Sequence, residues 1–282
     1  MVRSRSGTIA TAMVAVLCLA ALGCTPPGAS SSVSSLGVRS SHTCAVMTDG
    51  RVTCWGLNAD GQVGNGVFTG SVAIPLTVLG VSGATQVVGG QQHTCALVAG
   101  GSVKCWGDNG LGQLGDGSNV DSAIPVNVTG VSGAVQLDAT RYATCALRSD
   151  GTLGCWGFGR QGQLGDGTTG DVNPVAVPVS GLSGVADVSV GGGHACARLD
   201  DGTVRCWGAN SSGTLGDGTT VDRSTPVAVI GLTGVRQVLA SGYTSCAVLA
   251  DRSAVCWGRN DLGGLGTGFG SSTTAPGSPL LF

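Results

Sequence analysis

The chain has no glutamate and a single lysine, Lys104, in 282 residues. Charged residues make up only 11%, less than half the usual share of about 25%. Glu and Lys are strong helix formers, so their near absence argues against a helical bundle. Glutamate is also a common general acid or base in catalysis, and it is missing here. The formal net charge is −2, and no basic patch offers the counterion-releasing surface that nucleic acid requires. No partner of that class is expected. The longest uncharged apolar stretch, 8–22, falls short of the roughly 20 residues a comfortable membrane span needs. What the chain does have is glycine, 51 residues, and a 42% hydrophobic content despite only 4% aromatics. That composition excludes a disordered chain and suits short strands joined by many turns.

The N-terminus reads as a targeting segment. Arg3 and Arg5 precede the apolar stretch, which fits a secretory signal core. It ends Ala20-Ala21-Leu22-Gly23-Cys24, which resembles the bacterial lipoprotein signal. The resemblance implies a signal peptide over 1–23, cleavage before Cys24 and lipid attachment at that cysteine. Ala21 departs from the commonest form, which has Leu there. Cys18 is a poorer candidate because Leu17 is not small. The following stretch, 24–32, is rich in Pro, Gly and Ser and reads as a flexible tether. The expected location is the bacterial cell envelope, lipid-anchored and extracytoplasmic, on the outer membrane or cell surface.

From Val33 onward one unit recurs. Cys-Trp-Gly appears at Cys54, Cys105, Cys155, Cys206 and Cys256, at offsets of 51, 50, 51 and 50 residues. A second cysteine stands ten positions before each: Cys44, Cys95, Cys145, Cys196 and Cys246. All five tryptophans lie in these phrases, and a glycine-rich phrase such as GQLGDG from Gly112 follows each one. A period near 50 residues points to a propeller with one blade per repeat. The predicted fold is all-β, a β-propeller of about five four-stranded antiparallel blades in a single domain over 33–282. In the second unit the strands are expected at 85–88, 93–98, 102–106 and 124–128.

The middle two strands of each unit meet at a tight turn. A three-residue loop Thr48-Asp49-Gly50, with the glycine left-handed, pairs Met47 with Arg51. Counting back, Val46 faces Val52 and Cys44 faces Cys54, and residues directly opposite have close Cβ atoms. A two-residue loop would shift the register and separate the thiols. In the fifth unit Arg252 stands where the turn expects glycine, at a strain of about 1 kcal/mol. Apolar side chains occur on both faces of the hairpin, so the sheet must be covered on both sides, as in stacked blades.

The phrase HTCAVMTDGRVTCWG from His42, followed by NADGQVGNG from Asn58, resembles the regulator of chromosome condensation repeat family. The likeness recurs five times and covers about 250 residues of the chain. It implies a β-propeller. The family more often has seven units, and it does not require the paired cysteines. Its namesake exchanges nucleotide on a nuclear GTPase beside chromatin, partners that an exported, mildly acidic chain does not meet.

Ten of the twelve cysteines fall in the repeats as pairs. In an exported chain this reads as a disulfide framework, Cys44–Cys54, Cys95–Cys105, Cys145–Cys155, Cys196–Cys206 and Cys246–Cys256; ten buried free thiols are the alternative. His42, His93 and His194 share one repeat position, where Ala143 and Thr244 stand in the other units. A zinc site there lacks a fourth ligand, and hydrogen bonding within the blades is the simpler role. The repeated Asp-Gly phrases lack the alternating carboxylates of a calcium loop. No metal or cofactor is expected.

Recognition residues are those that break the repeat. Arg141, Tyr142, Phe158 and Arg160 make the third unit the least regular, and Asp171, Asp222 and Arg223 vary in the loops after the glycine-rich phrases. In a propeller such loops gather on one face and carry binding. Ordinary loop drift is the competing explanation. The favoured function is a noncatalytic, surface-anchored lipoprotein whose propeller binds a protein or glycan. The alternatives are an extracellular inhibitor of an enzyme, and a propeller lyase or hydrolase.

Overall fold

The computed structural model describes residues 32–39, 41–268 and 270–280. The signal segment, Cys24 and all of the tether but Ser32 lie outside them. Among the described residues there are nineteen strands and no helix. They form five antiparallel sheets in chain order. Blade 1 is β1 (Val33–Arg39), β2 (His42–Met47), β3 (Val52–Leu57) and β4 (Ser71–Thr77). Blade 2 is β5 (Ala84–Gly89), β6 (His93–Val98), β7 (Ser102–Gly107) and β8 (Ser122–Asn127). Blade 3 is β9 (Ala134–Ala139), β10 (Ala143–Arg148), β11 (Leu153–Phe158) and β12 (Val172–Pro178). Blade 4 is β13 (Val185–Val190), β14 (His194–Leu199), β15 (Val204–Gly208) and β16 (Arg223–Ala228). Blade 5 is β17 (Val235–Ser241), β18 (Thr244–Leu249) and β19 (Ala254–Gly258).

Four blades have the four strands that the repeat predicts. The fifth has three, and among the described residues the chain after it contributes two isolated bridges, Gly258 to Thr273 and Ala254 to Leu280. Pro276, Gly277 and Pro279 fall between those bridges. Proline has no N–H to donate to a ladder, although the outer strands of the other four blades carry prolines and still pair.

The hairpin register follows from the turn. The Met47 N–H donates to the Arg51 carbonyl (2.8 Å), and Gly50 is left-handed with φ 78°. Val46 pairs with Val52 and Cys44 with Cys54, and the same pairing recurs at each cysteine pair. All five pairs are bonded, with Cα–Cα distances of 4.1 Å. Arg252 adopts φ 73°, alone among the described non-glycine residues in being left-handed.

Blades stack through one recurring junction. The disulfide face of each blade packs on the tryptophan face of the next. Between blades 1 and 2, Cys44, Val46, Val52, Cys54 and Val63 enclose Ala84, Val87, Ala96 and Trp106. Each indole N–H donates to a backbone carbonyl of the preceding blade: Trp106 to Gln62 (2.9 Å), Trp156 to Gln113 (2.9 Å), Trp207 to Gln163 (3.0 Å) and Trp257 to Thr214 (2.9 Å). These four tryptophans are fully buried. Near the axis, side chains of one inner strand clamp the backbone of the next. Gln86 donates to the Leu137 carbonyl (2.9 Å) and accepts from the Leu137 N–H (2.8 Å).

Among the described residues the arc of blades does not close on itself. Inner strands pack in sequence, β1 on β5, β5 on β9, β9 on β13 and β13 on β17, whereas β17 and β1 do not pack as neighbours. Trp55 at the front of blade 1 is only half-buried, and so are Cys246 and Cys256 at the rear of blade 5.

Candidate functional site

Each four-stranded blade carries two connections on the same face, the short turn between its first two strands and the long loop between its last two; in blade 5 the segment after β19 takes the place of that loop. Blade 3 departs from the pattern in both. In its turn, Arg141 and Tyr142 lie between β9 and β10. In its loop, Phe158 ends β11 and is followed by Gly159, where the other units have Asn58, Asn109, Asn210 and Asn260. Those buried asparagines knit their loops. Asn109, for example, accepts from the Leu114 N–H (2.9 Å) and donates to Asp116 and to the carbonyls of Ser118 and Val120. Blade 3 manages without one because Gly159 packs against Gly170 and Leu164, and a side chain there would meet the Gly170 carbonyl at 2.8 Å.

The result is a cluster of aromatic rings. Tyr142 and Phe158 meet edge to face with centroids 6.1 Å apart, and the Arg141 guanidinium lies 4.8 Å from the Tyr142 ring centre. Across a shallow hollow of about 170 Å³ stands Tyr243, from the turn of blade 5, with Gln161 and Gln163 also on the wall. Arg259 covers the far side of Tyr243 at 5.7 Å and is held by Asp261. The two aromatic walls belong to blades 3 and 5, so blade 4 must stay low between them. It does so because its turn is Gly191-Gly192-Gly193. A Cβ on Gly192 would lie 2.8 Å from the Gly242 carbonyl, and one on Gly193 would lie 2.6 Å from Gln161 Oε1.

Arg141, Tyr142 and Phe158 are thus brought together. Arg160 and Asp171 form an exposed ion pair at 3.2 Å in the same loop, outside the hollow. Asp222 and Arg223 lie on the same face in blade 4 but are engaged in their own loop. Asp222 accepts from the Asn210 N–H (2.7 Å), and Arg223 pairs with the nearly buried Asp217 (3.2 Å). Asp222 has a counterpart in Asp121, which accepts from Asn109 (2.8 Å). Tyr243, Gln161 and the glycine floor are missed by reading units singly. The signal for Tyr243 is present: the chain has two tyrosines, and both fall at one repeat position, immediately before the second strand of their blades.

The three histidines are junction elements. His42 Nε2 lies 2.9 Å from Thr94 Oγ1, His93 Nε2 lies 2.9 Å from Thr144 Oγ1, and His194 Nε2 lies 2.8 Å from Ser245 Oγ. Thr94 and Ser245 give their own hydrogens to the carbonyls of Gln62 and Thr214, so they accept from the imidazole N–H. Between blades 3 and 4 both members of the pair are alanine, Ala143 and Ala195. Burial pushes His42 and His194 down to about 4, and burial together with the nearby His42 pushes His93 down to about 3.

Each histidine is therefore neutral when folded and takes up a proton more readily when unfolded. Linkage makes the folded state fully favoured above the ordinary histidine range near 6.5 and progressively weaker as pH falls toward about 4. Each unit of depression contributes about 1.4 kcal/mol. Thermal unfolding followed between pH 7.5 and 4.5 should show the midpoint falling across this window; a flat profile would contradict neutral burial.

Stacked antiparallel blades of three or four strands define the molecule as a β-propeller protein. The chain belongs to the Regulator of chromosome condensation (RCC1) repeat family, whose repeat matches at residues 100–147, 150–198 and 201–248 and, in a second form, at 40–62, 84–113 and 185–214. Human Protein RCC2 is 38% identical over 88 residues, 30% of this chain and 17% of that protein. The Ultraviolet-B receptor UVR8 of Arabidopsis thaliana is 30% identical over 193 residues, 66% of this chain and 43% of that protein. Among solved structures, human WBSCR16 superposes with a TM-score of 0.77 at 23% identity, covering 88% of this chain and 66% of its own. Prp20p of Saccharomyces cerevisiae does so with a TM-score of 0.74 at 20% identity, covering 86% and 62%. The chain spans less than two thirds of each of these proteins, and at these identities the two structures share its fold.

Proposed function

We propose that the protein is a noncatalytic, lipid-anchored envelope protein that binds a partner protein through the aromatic hollow of blades 3 to 5. The observation that carries this reading is the convergence of Tyr142, Phe158 and Tyr243 with Arg141 over a glycine floor. Tyr and Arg are the residues that dominate binding energy in protein interfaces. A hollow of about 170 Å³ is smaller than the roughly 300–1,000 Å³ of small-molecule pockets, and it fits one inserted side chain. Two relatives have recognition in their descriptions: UVR8 is called a receptor, and the Prp20p structure is described with its binding to Gsp1p and histones. The Gly23-Cys24 signal supports anchorage at Cys24, and five disulfides support an oxidising, extracytoplasmic compartment.

Capture of a partner from intact envelopes tests the reading, with the ligand identified by mass spectrometry. Tyr142→Ala and Tyr243→Ala should each weaken capture at least tenfold, about 1.4 kcal/mol, while Arg160→Ala retains it. Equal capture by all three would remove the hollow as the site, and a captured glycan would replace the protein partner. A captured enzyme whose turnover falls on binding would make the protein an inhibitor. In the same preparation Cys24→Ser should alter the mass and release pattern of the chain; retention in the membrane at unchanged mass would refute the anchor.

A further inference from the structure

Three glutamines stand at one repeat position, Gln62, Gln113 and Gln163, and each is at most 4% exposed. All three use the amide oxygen in the same way. Gln62 Oε1 accepts the Asp60 N–H (2.9 Å), Gln113 Oε1 the Leu111 N–H (2.8 Å) and Gln163 Oε1 the Gln161 N–H (2.8 Å). The NH2 ends differ. Gln113 donates to Asp108 Oδ2 (2.6 Å), and Gln62 reaches Asp60 Oδ2 (3.5 Å). In blade 3 the position of Asp108 is Phe158 and that of Asp60 is Gln161. Both carboxylates are replaced, and among the described residues Gln163 Nε2 has no acceptor. Gln163 is part of the wall of the aromatic hollow, so the hollow carries a nearly buried donor that the protein itself leaves unused.

An N–H group held out of water is costly until an acceptor meets it. The surroundings select the charge of that acceptor. No carboxylate lines the hollow among the described residues. Arg160 and Arg259 are paired with Asp171 and Asp261, whereas Arg141, exposed at the wall, pairs with no carboxylate among the described residues. Aromatic faces by themselves suit a cation. Here an arginine already lies over each tyrosine, at 4.8 and 5.7 Å, and a second cation would meet these charges and the amide N–H groups with like sign. An anion meets all of them with opposite sign, and a hydrogen bond to an ionised acceptor is about twice as strong as a neutral one.

Taking the hollow as the partner site, we propose that it receives an acidic side chain of the partner protein, an aspartate or glutamate, whose carboxylate takes the place that Asp108 holds against Gln113 in blade 2. Gln163 donates to the carboxylate and Arg141 supplies the countercharge. The rings of Tyr142, Phe158 and Tyr243 cover the methylenes and exclude water. Blade 3 thereby leaves to the partner a contact that blades 1 and 2 make for themselves.

Titration of the full chain with N-acetyl-glutamate methylamide and with N-acetyl-glutamine methylamide, followed by nuclear magnetic resonance near neutral pH, tests this. The chain has two tyrosines, so the ring signals of Tyr142 and Tyr243 report entry into the hollow, and the Gln163 side-chain amide reports the hydrogen bond. The acidic probe should bind roughly tenfold more tightly than the neutral one and should shift the Gln163 amide. Arg141→Gln, at an exposed position, should weaken the acidic probe about threefold. Gln163→Glu keeps an acceptor for the Gln161 N–H but sets a carboxylate where the NH2 group was, and it should abolish capture of the envelope partner. The wild-type titration stands whether or not that variant folds. Equal binding of the two probes, binding of neither, or an unmoved Gln163 amide overturns the acidic occupant. So does a partner that Tyr142→Ala and Tyr243→Ala lose but Gln163→Glu retains, an outcome that leaves the hollow as the partner site. Failure of the hollow itself is read separately, from capture that the two tyrosine variants leave unchanged.

Discussion

Full reduction is expected to unfold the protein at neutral pH and room temperature, with loss of its β-sheet circular dichroism. Each disulfide spans a sequence separation of 10, and closing so short a loop contributes about 3 kcal/mol by the chain-entropy estimate. Five such bridges together match or exceed the whole stability of an ordinary domain, about 5–15 kcal/mol. The reaction should also proceed in order. Eight of the cysteines are at most 1% exposed, sealed between blades, while Cys246 and Cys256 are half-buried at the open rear of blade 5. Exchange requires a thiolate to reach a sulfur. Under limiting reductant, alkylation and peptide mapping should find Cys246 and Cys256 first, well before global unfolding. A reduced chain that still unfolds cooperatively would contradict the first expectation. Labelling of Cys145 and Cys155 as readily as Cys246 would contradict the second.

The second large effect separates equivalent tryptophans. Trp156→Ala should destabilise by about 3–5 kcal/mol, because its fully buried ring fills the junction among Leu97, Val103, Leu114 and the Cys95–Cys105 bridge. Its removal also leaves the Gln113 carbonyl without the indole donor, a loss of about 1–3 kcal/mol in a buried setting. The melting temperature should drop on the order of 10 °C for a chain of this size. Trp55→Ala, at the same repeat position, should lose only about 1 kcal/mol when measured at low concentration, since no blade covers its front. Denaturant titration of the two variants side by side makes the comparison. Equal losses would mean that the front of blade 1 is covered within a single chain.

Much of this was legible because it is local. The offset of ten residues between cysteines, with a three-residue turn, decides which atoms face each other within one hairpin, and no distant part of the chain can change that register. The left-handed Arg252 was readable for the same reason. The alternating apolar residues on both hairpin faces announced stacked blades. The outer strand of blade 5 was not legible: the other four units carry proline in that strand and still pair, β12 with both Pro174 and Pro178, so proline by itself does not mark where the ladder breaks. At the candidate site, Arg141, Tyr142 and Phe158 stood out as departures from the repeat. Tyr243 lies 101 positions from Tyr142, and nothing short of stacking three blades brings the two rings to one hollow. Asp222 and Arg223 looked equally irregular, yet their partners Asn210 and Asp217 lie in the same loop and absorb them.

The sequence by itself determined the repeat, the hairpin register, the cysteine pairing and the all-β class, since each depends on contacts within about a dozen residues. Tertiary structure alone decided that five blades make an open arc and that a glycine turn in blade 4 lets the rings of blades 3 and 5 share a hollow. It also decided that one disulfide and one tryptophan of five remain uncovered. Those outcomes depend on the angle between successive blades, which side chains at every junction set together and which accumulates along the stack, so no single repeat encodes it.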